Sequence, residues 1–108
     1  MIKITICERN GKIWAFQVKG HSGYAEEGSD IVCSGVSVAT QMAVVGLKEV
    51  LKLQTEVDIE DGYLHLELLK SEEYEKAQDI LLAMKKTLED IAKNYAKYVK
   101  LEVKKDVY

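Results

Sequence analysis

The 108-residue sequence is poor in several things, and each shortage excludes a class of protein. It holds two cysteines, Cys7 and Cys33, in separate predicted elements, with no Cys-x-x-Cys pair and no histidine cluster, so neither a disulfide scaffold nor a metal centre is expected. Positive charge is not in excess: 15 Lys and Arg stand against 18 Asp and Glu, a net charge of −3. No global field is therefore available to hold a phosphate backbone, which argues against a nucleic-acid partner. The alternating start Met1-Ile2-Lys3-Ile4-Thr5-Ile6 does not read as a signal peptide, and no apolar run reads as a membrane span. A cytoplasmic protein without a membrane partner is expected, its thiols kept reduced. No repeat or linker divides the chain, so residues 1–108 are expected to form a single domain around one core.

What is present is clear alternation and clear helical periodicity. Residues 2–8 alternate, Asn10-Gly11 suits a type I′ turn, and a second strand follows near Ile13–Lys19. A plain two-residue turn puts Cys7 opposite Trp14, Thr5 opposite Phe16 and Ile6 opposite Ala15, giving a hairpin that is apolar on both faces. A helix layer covers only one face, which leaves the other for an oligomer contact or a substrate groove. Val32, Val36, Ala39, Ala43, Gly46, Leu47 and Val50 recur at three- and four-residue steps, predicting a helix that ends near Lys52. Asp30 is its expected N-cap, with Ser29 as the alternative. A second hairpin turns at Asp61-Gly62, again of a kind suited to type I′, with Val57 and Ile59 facing Leu64 and Leu66. Ser71 and the acids at 72, 73 and 75 open a long helix whose stripe is Tyr74, Ala77, Leu81, Met84, Leu88, Ile91 and Tyr95. Val99, Leu101 and Val103 then alternate with charged residues in a last strand. The order is ββαββαβ: an α+β, two-layer fold with helices on one face of a mostly antiparallel sheet.

The chemistry concentrates between Gly20 and Ser37. Three glycines, Gly20, Gly23 and Gly28, make a mobile loop that carries His21 and Ser22 and runs into the first helix. With Asp30 as N-cap, Cys33 is the third helical residue, close to unpaired N–H groups and the positive end of the helix dipole, which favours a thiolate. His21 on the preceding loop is placed to serve as base toward that thiol and then as acid toward a leaving amine. Blander readings compete: Cys33 as a small buried hydrophobe, His21 as a loop residue bonded to a carbonyl, Asp30 as a cap alone. The hydroxyl of Ser37, one turn on, can serve the dyad, the substrate or the backbone carbonyl of Cys33. Ser34 and Gly35 are small enough for an extended peptide to approach, and first-turn N–H groups are candidates for holding an oxyanion. His65 sits mid-strand opposite Asp58, and Cys7 is a strand residue packed near Trp14.

As a whole string, Gly20-His21, then Asp30-Ile31-Val32-Cys33, then Val36-Ser37, resembles the signature of the bacterial ribosomal-processing cysteine protease (Prp-type) family. Length and element order match across essentially the whole chain. The resemblance implies a cytoplasmic homodimer that removes a short N-terminal extension from a ribosomal protein precursor, L-twenty-seven of the large subunit. It makes Cys33 the nucleophile and His21 the base, Asp30 and Ser37 supporting residues, and the segment around Gly20, Ser22, Gly23 and Gly28 the substrate loop, with no cofactor and no metal. Where the family commonly has alanines after the cysteine, this chain has Ser34-Gly35, which lowers helix propensity in the first turn. A non-catalytic homodimeric module that grips a ribosomal protein or nascent peptide is the alternative. A redox sensor ranks below both, for want of a nearby resolving cysteine.

Overall fold

The computed structural model describes residues 1–26 and 30–106, and its elements follow the predicted order. Strands β1 (Ile2–Arg9) and β2 (Lys12–Lys19) form the first hairpin, and helix α1 (Ile31–Val45) runs on into a π-helical turn at Gly46–Val50. Strands β3 (Thr55–Glu60) and β4 (Tyr63–Leu68) form the second hairpin, followed by a short 3-10 turn at Ser71–Glu73, α2 (Tyr74–Asn94) and β5 (Val99–Lys105). The sheet order is β3-β4-β2-β1-β5, in which three pairings are antiparallel and β5 lies parallel to β1. The sheet is therefore mixed, because the chain crosses over through α2 before it adds the last strand.

Both helices pack on the sheet face that carries Ile2, Ile4, Ile6, Phe16, Leu64, Leu66 and Leu68, and Leu81, Met84 and Leu88 of α2 complete the core. Each such side chain contributes roughly 1.5–3 kcal/mol by leaving water. Val32, Val36, Ala39, Ala43 and Leu47 supply the inner stripe of α1, as their spacing predicts, whereas Val50 is exposed. Gly46 lets the helices approach closely: a Cβ there would stand 2.8 Å from Ile80 Cδ1 of α2. The continuous helix Ile31–Val50 is, contrary to expectation, long and apolar enough by length and composition alone to cross a membrane; here its inner stripe lies in the core.

Three local expectations are corrected. The Asn10-Gly11 turn forms with both residues at positive φ, 50° and 78°, yet Cys7 faces Ala15 and Ile6 faces Phe16. The register shifts between Cys7 and Glu8, so that Trp14 is an extra residue in β2, a β-bulge. Its cause lies in α2, where the Gln78 side chain donates to the Ile13 carbonyl at 2.8 Å and accepts from the Ile13 N–H at 2.9 Å. Those bonds satisfy backbone groups that an unbulged ladder would have paired. Ile6 and Phe16 thus share the core face, and the helix-free face of this hairpin carries Thr5, Cys7, Ala15 and Gln17 instead of an apolar set. Second, only Gly62 has positive φ, 68°, in the β3–β4 turn, so that turn is not type I′. Third, no side chain caps the helical segment at Ser71; Glu73 instead accepts the Gln54 N–H at 2.8 Å.

Candidate functional site

The first turn of α1 explains how the site is built. Asp30 is extended at its backbone, and its Oδ1 accepts the N–H groups of Val32, at 3.0 Å, and Cys33, at 2.9 Å. The Ser34 N–H bonds the Asp30 carbonyl at 3.0 Å. These three amides are therefore engaged and do not stand ready for an oxyanion. The other carboxylate oxygen, Oδ2, accepts the Ser22 hydroxyl. That bond, with the Cys33 and Ala25 amides adding to it against the cost of burial, holds the Asp30 carboxyl down to about 2. Asp30 is thus a cap and a loop anchor, and among the described residues its carboxylate makes no bond to His21.

Ser22 is the other half of the anchor. It is buried, its hydroxyl accepts the Tyr24 N–H at 3.1 Å, and its own N–H donates to Cys33 Sγ at 3.2 Å. Tyr24 in turn meets Tyr95 and Tyr98 edge to face, with ring centroids 5.8 and 5.2 Å apart, and so docks this part of the loop on the end of α2. The segment read as a mobile loop is tied down at Ser22 and Tyr24; Gly28 and Ser29 lie outside the described residues.

Cys33 and His21 open onto one cleft of about 540 Å³ between α1 and the β3–β4 hairpin. Gly20, Gly23, Asp30, Ser34, Ser37 and Gly62 also line it. The His21 imidazole rests on the hairpin turn: a Cβ at Gly62 would stand 2.8 Å from its Nε2, and the Gly20 N–H bonds the Gly62 carbonyl at 2.8 Å. Among the described residues no hydrogen bond joins His21 to Cys33, a looseness common in substrate-free sites. Ser37 lines the cleft, but its Oγ accepts from Gln41 Nε2 at 2.6 Å and does not bond the Cys33 carbonyl. Gly35 faces away from the cleft, toward Ile91 of α2. His65 projects from the helix-free face of the sheet, paired with Asp58 in register and 3.5 Å from Glu67, and takes no part in the cleft. Among the described residues no group of three metal-ligating side chains is brought together.

Sequence reasoning missed Gly62 and Gln41. Gly62 sits on a turn 41 residues from His21 along the chain, and nothing local advertises the contact. Gln41 was the more accessible of the two, as an amide side chain four positions after Ser37 on the same helix.

Comparison with known proteins decides the family. The family model described as "Cysteine protease Prp" matches residues 1–100. This chain belongs to the cysteine protease Prp family. It is 34% identical over 101 residues to the ribosomal processing cysteine protease Prp of Bacillus subtilis, covering 88% of this chain and 90% of that one. Its fold matches the essential ribosomal processing protease Prp of S. aureus in complex with a covalently linked product peptide, at a TM-score of 0.88 and 27% identity, over 96% of this chain and all of that one. The same S. aureus protease with a substrate peptide gives a TM-score of 0.82 at 26% identity, again over 96% of this chain. As a member of the Prp family, the chain is a cysteine protease.

Proposed function

We propose that this protease removes the short N-terminal extension of the large-subunit ribosomal protein L-twenty-seven in the cytoplasm, with Cys33 as nucleophile and His21 as base. The observation that carries this reading is the cleft itself: residues twelve apart in sequence converge there, and the thiol sits where a loop N–H meets its sulfur. His21 takes the thiol proton and the sulfur attacks the scissile carbonyl, forming the C–S bond. The tetrahedral adduct collapses to a thioester as the C–N bond breaks, and the imidazolium gives its proton to the departing amine. Water, deprotonated by His21, then cleaves the thioester and restores the thiol.

The enzyme is read as a homodimer. Support comes from the outer side of α1, where Ile31, Val38, Met42 and Val45 are all exposed, an apolar strip of the kind that partners cover. Equilibrium sedimentation at micromolar concentration is expected to give twice the monomer mass; a monomer there removes the dimer from the proposal.

The deciding experiment incubates the protein with the extended precursor beside a Cys33→Ala control and follows the masses. One cut in the wild-type reaction alone is expected. An intact precursor retained on both proteins would replace this reading with the binding module.

A further inference from the structure

The cleft contains a nucleophile and a base, but three amides of the helix start, which would ordinarily supply the third element, donors for the developing negative charge, are occupied. The Val32 and Cys33 N–H groups point at Asp30 Oδ1, and the Ser34 N–H at the Asp30 carbonyl. We infer that the backbone N–H of Ser22 is the oxyanion donor of this protease, an inference that rests on Cys33 being the nucleophile.

Three observations carry it. The Ser22 N–H already addresses the reacting atom, at 3.2 Å from Cys33 Sγ. The oxyanion is two bonds from that sulfur, so a small shift brings the N–H to the roughly 2.7–3.1 Å that oxyanion donors use. The donor is also held in advance: the Ser22 hydroxyl is fixed between Asp30 Oδ2 and the Tyr24 N–H, in a residue only 4% exposed. A donor that needs no reorganisation is the kind that stabilises a transition state more than a ground state. Finally, the bond changes partner as the reaction proceeds. When the C–S bond forms, the carbonyl π pair moves onto oxygen; the sulfur becomes a poor acceptor and the neighbouring oxyanion a strong one. The N–H passes from the first to the second. When the adduct collapses, that pair re-forms the carbonyl and the C–N bond breaks.

On this account Asp30 and the Ser22 hydroxyl are positioning groups that act through the Ser22 amide. The arrangement also explains why the cap residue is bonded twice over: Asp30 withdraws the Val32, Cys33 and Ser34 amides from the reaction and fixes the loop amide that replaces them.

The test replaces Ser22 in the full chain by its α-hydroxy acid analogue, which exchanges the N–H for an ester oxygen and keeps the side chain. Acylation of Cys33 by a precursor peptide, followed by mass in single turnover, is expected to fall about a hundredfold or more. Affinity for a peptide aldehyde, which forms a tetrahedral hemithioacetal on the thiol, is expected to fall in parallel. Binding of the uncleaved peptide to the same ester chain carrying Cys33→Ala is expected to change less than about threefold. Acylation within threefold of wild type, or an aldehyde affinity left intact, overturns the inference. Whether or not the ester chain folds, a structure of the wild-type hemithioacetal tests the same point independently: its oxygen lies against the Ser22 N–H, or it points elsewhere and the inference fails. If wild-type Cys33 forms no acyl-enzyme at all, the protease assignment of Cys33 has failed, a result distinct from the other two.

Discussion

Cys7 and Cys33 are the same side chain, both half-buried, in two settings that differ in nearly every other respect. Cys7 lies in the middle of the sheet, between Ala15 of β2 and Lys104 of β5, on the face without helices. Burial pushes its thiol up, with Lys104 and Arg9 opposing this in part, and among the described residues no hydrogen bond reaches its sulfur. Cys33 lies in the first turn of a capped helix, opens onto a cleft shared with a histidine, and receives an N–H from a loop anchored by the cap. On the proposed mechanism, reactivity is therefore a property of the surrounding backbone. A strand spends its amides on the ladder, whereas a loop folded over a helix start can aim one at a sulfur.

Removing each thiol in turn tests that contrast at its root. Cys33→Ala is expected to lower precursor cleavage by at least about a thousandfold, the scale on which losing a nucleophile is felt. Cys7→Ala should leave the rate within about twofold, because no part of Cys7 lines the cleft. Equal losses in a side-by-side cleavage assay would erase the distinction between the two thiols.

Next comes Gly62→Ala, which disturbs His21, the proposed base, and spares both cysteines. A methyl group there meets the imidazole at 2.8 Å from Nε2, on a backbone at φ 68°. The imidazole is the end of a mobile side chain and will yield, so the penalty to folding is about 1–2 kcal/mol from the left-handed backbone alone. Cleavage is expected to fall by about a hundredfold, since a displacement near 1 Å costs that much. A thermal melt paired with the cleavage rate separates the two effects, and a rate that falls only with stability would deny His21 its placement.

The parts of this arrangement that were legible in the sequence are those set by neighbours. Asp30 three residues before Cys33 reads as a cap because capping is local, and Asn10-Gly11 reads as a turn because two positive φ values need those residues. The stripe of α2 was readable through Leu88, while Ile91 and Tyr95 proved only half-buried. What escaped were contacts made across the fold. Gln78, 65 residues from Ile13, creates the bulge that moves Trp14 out of line and brings Ala15 opposite Cys7. No pattern within β2 distinguishes a bulged strand from a plain one. The Val32 and Cys33 amides are taken by Asp30 Oδ1, a local consequence of the cap, whereas the hold of the second oxygen on Ser22 is a contact from the loop that the helix sequence does not show.

A subtler change, Asp30→Asn, keeps an acceptor for the Val32 and Cys33 N–H groups and removes the charge that receives the Ser22 hydroxyl. Cleavage is expected to fall about tenfold, less than a full misplacement costs. The sign of the acid response follows from the depressed carboxyl, about 2 in the folded chain against roughly 3.9 unfolded. Such a group contributes stability that is complete above the unfolded value and is lost as pH falls through the folded one. The melting-temperature gap between wild type and Asp30→Asn should therefore be constant from neutral pH down to about 4, then narrow toward pH 2. A gap that stays constant to pH 2 would mean the Ser22–Asp30 bond does not depend on charge.

A last and slighter effect approaches the two thiols from the other side, by asking how quiet Cys7 is. Alkylation proceeds through the thiolate, so a thiol that burial pushes up reacts more slowly at neutral pH than the same thiol in an unfolded peptide. In a Cys33→Ala background, iodoacetamide labelling of Cys7 is expected to run several-fold slower than that of a cysteine-containing tripeptide, and to speed up with rising pH. The cations beside it refine this. Lys104 lies in register with Cys7 across β1 and β5 and works against the burial effect. Lys104→Met should therefore slow labelling further, by about twofold, because it removes a charge that favours the thiolate. If instead Lys104→Met speeds labelling, access rather than ionisation limits Cys7, and steric cover by the neighbouring strands becomes the reason it is inert.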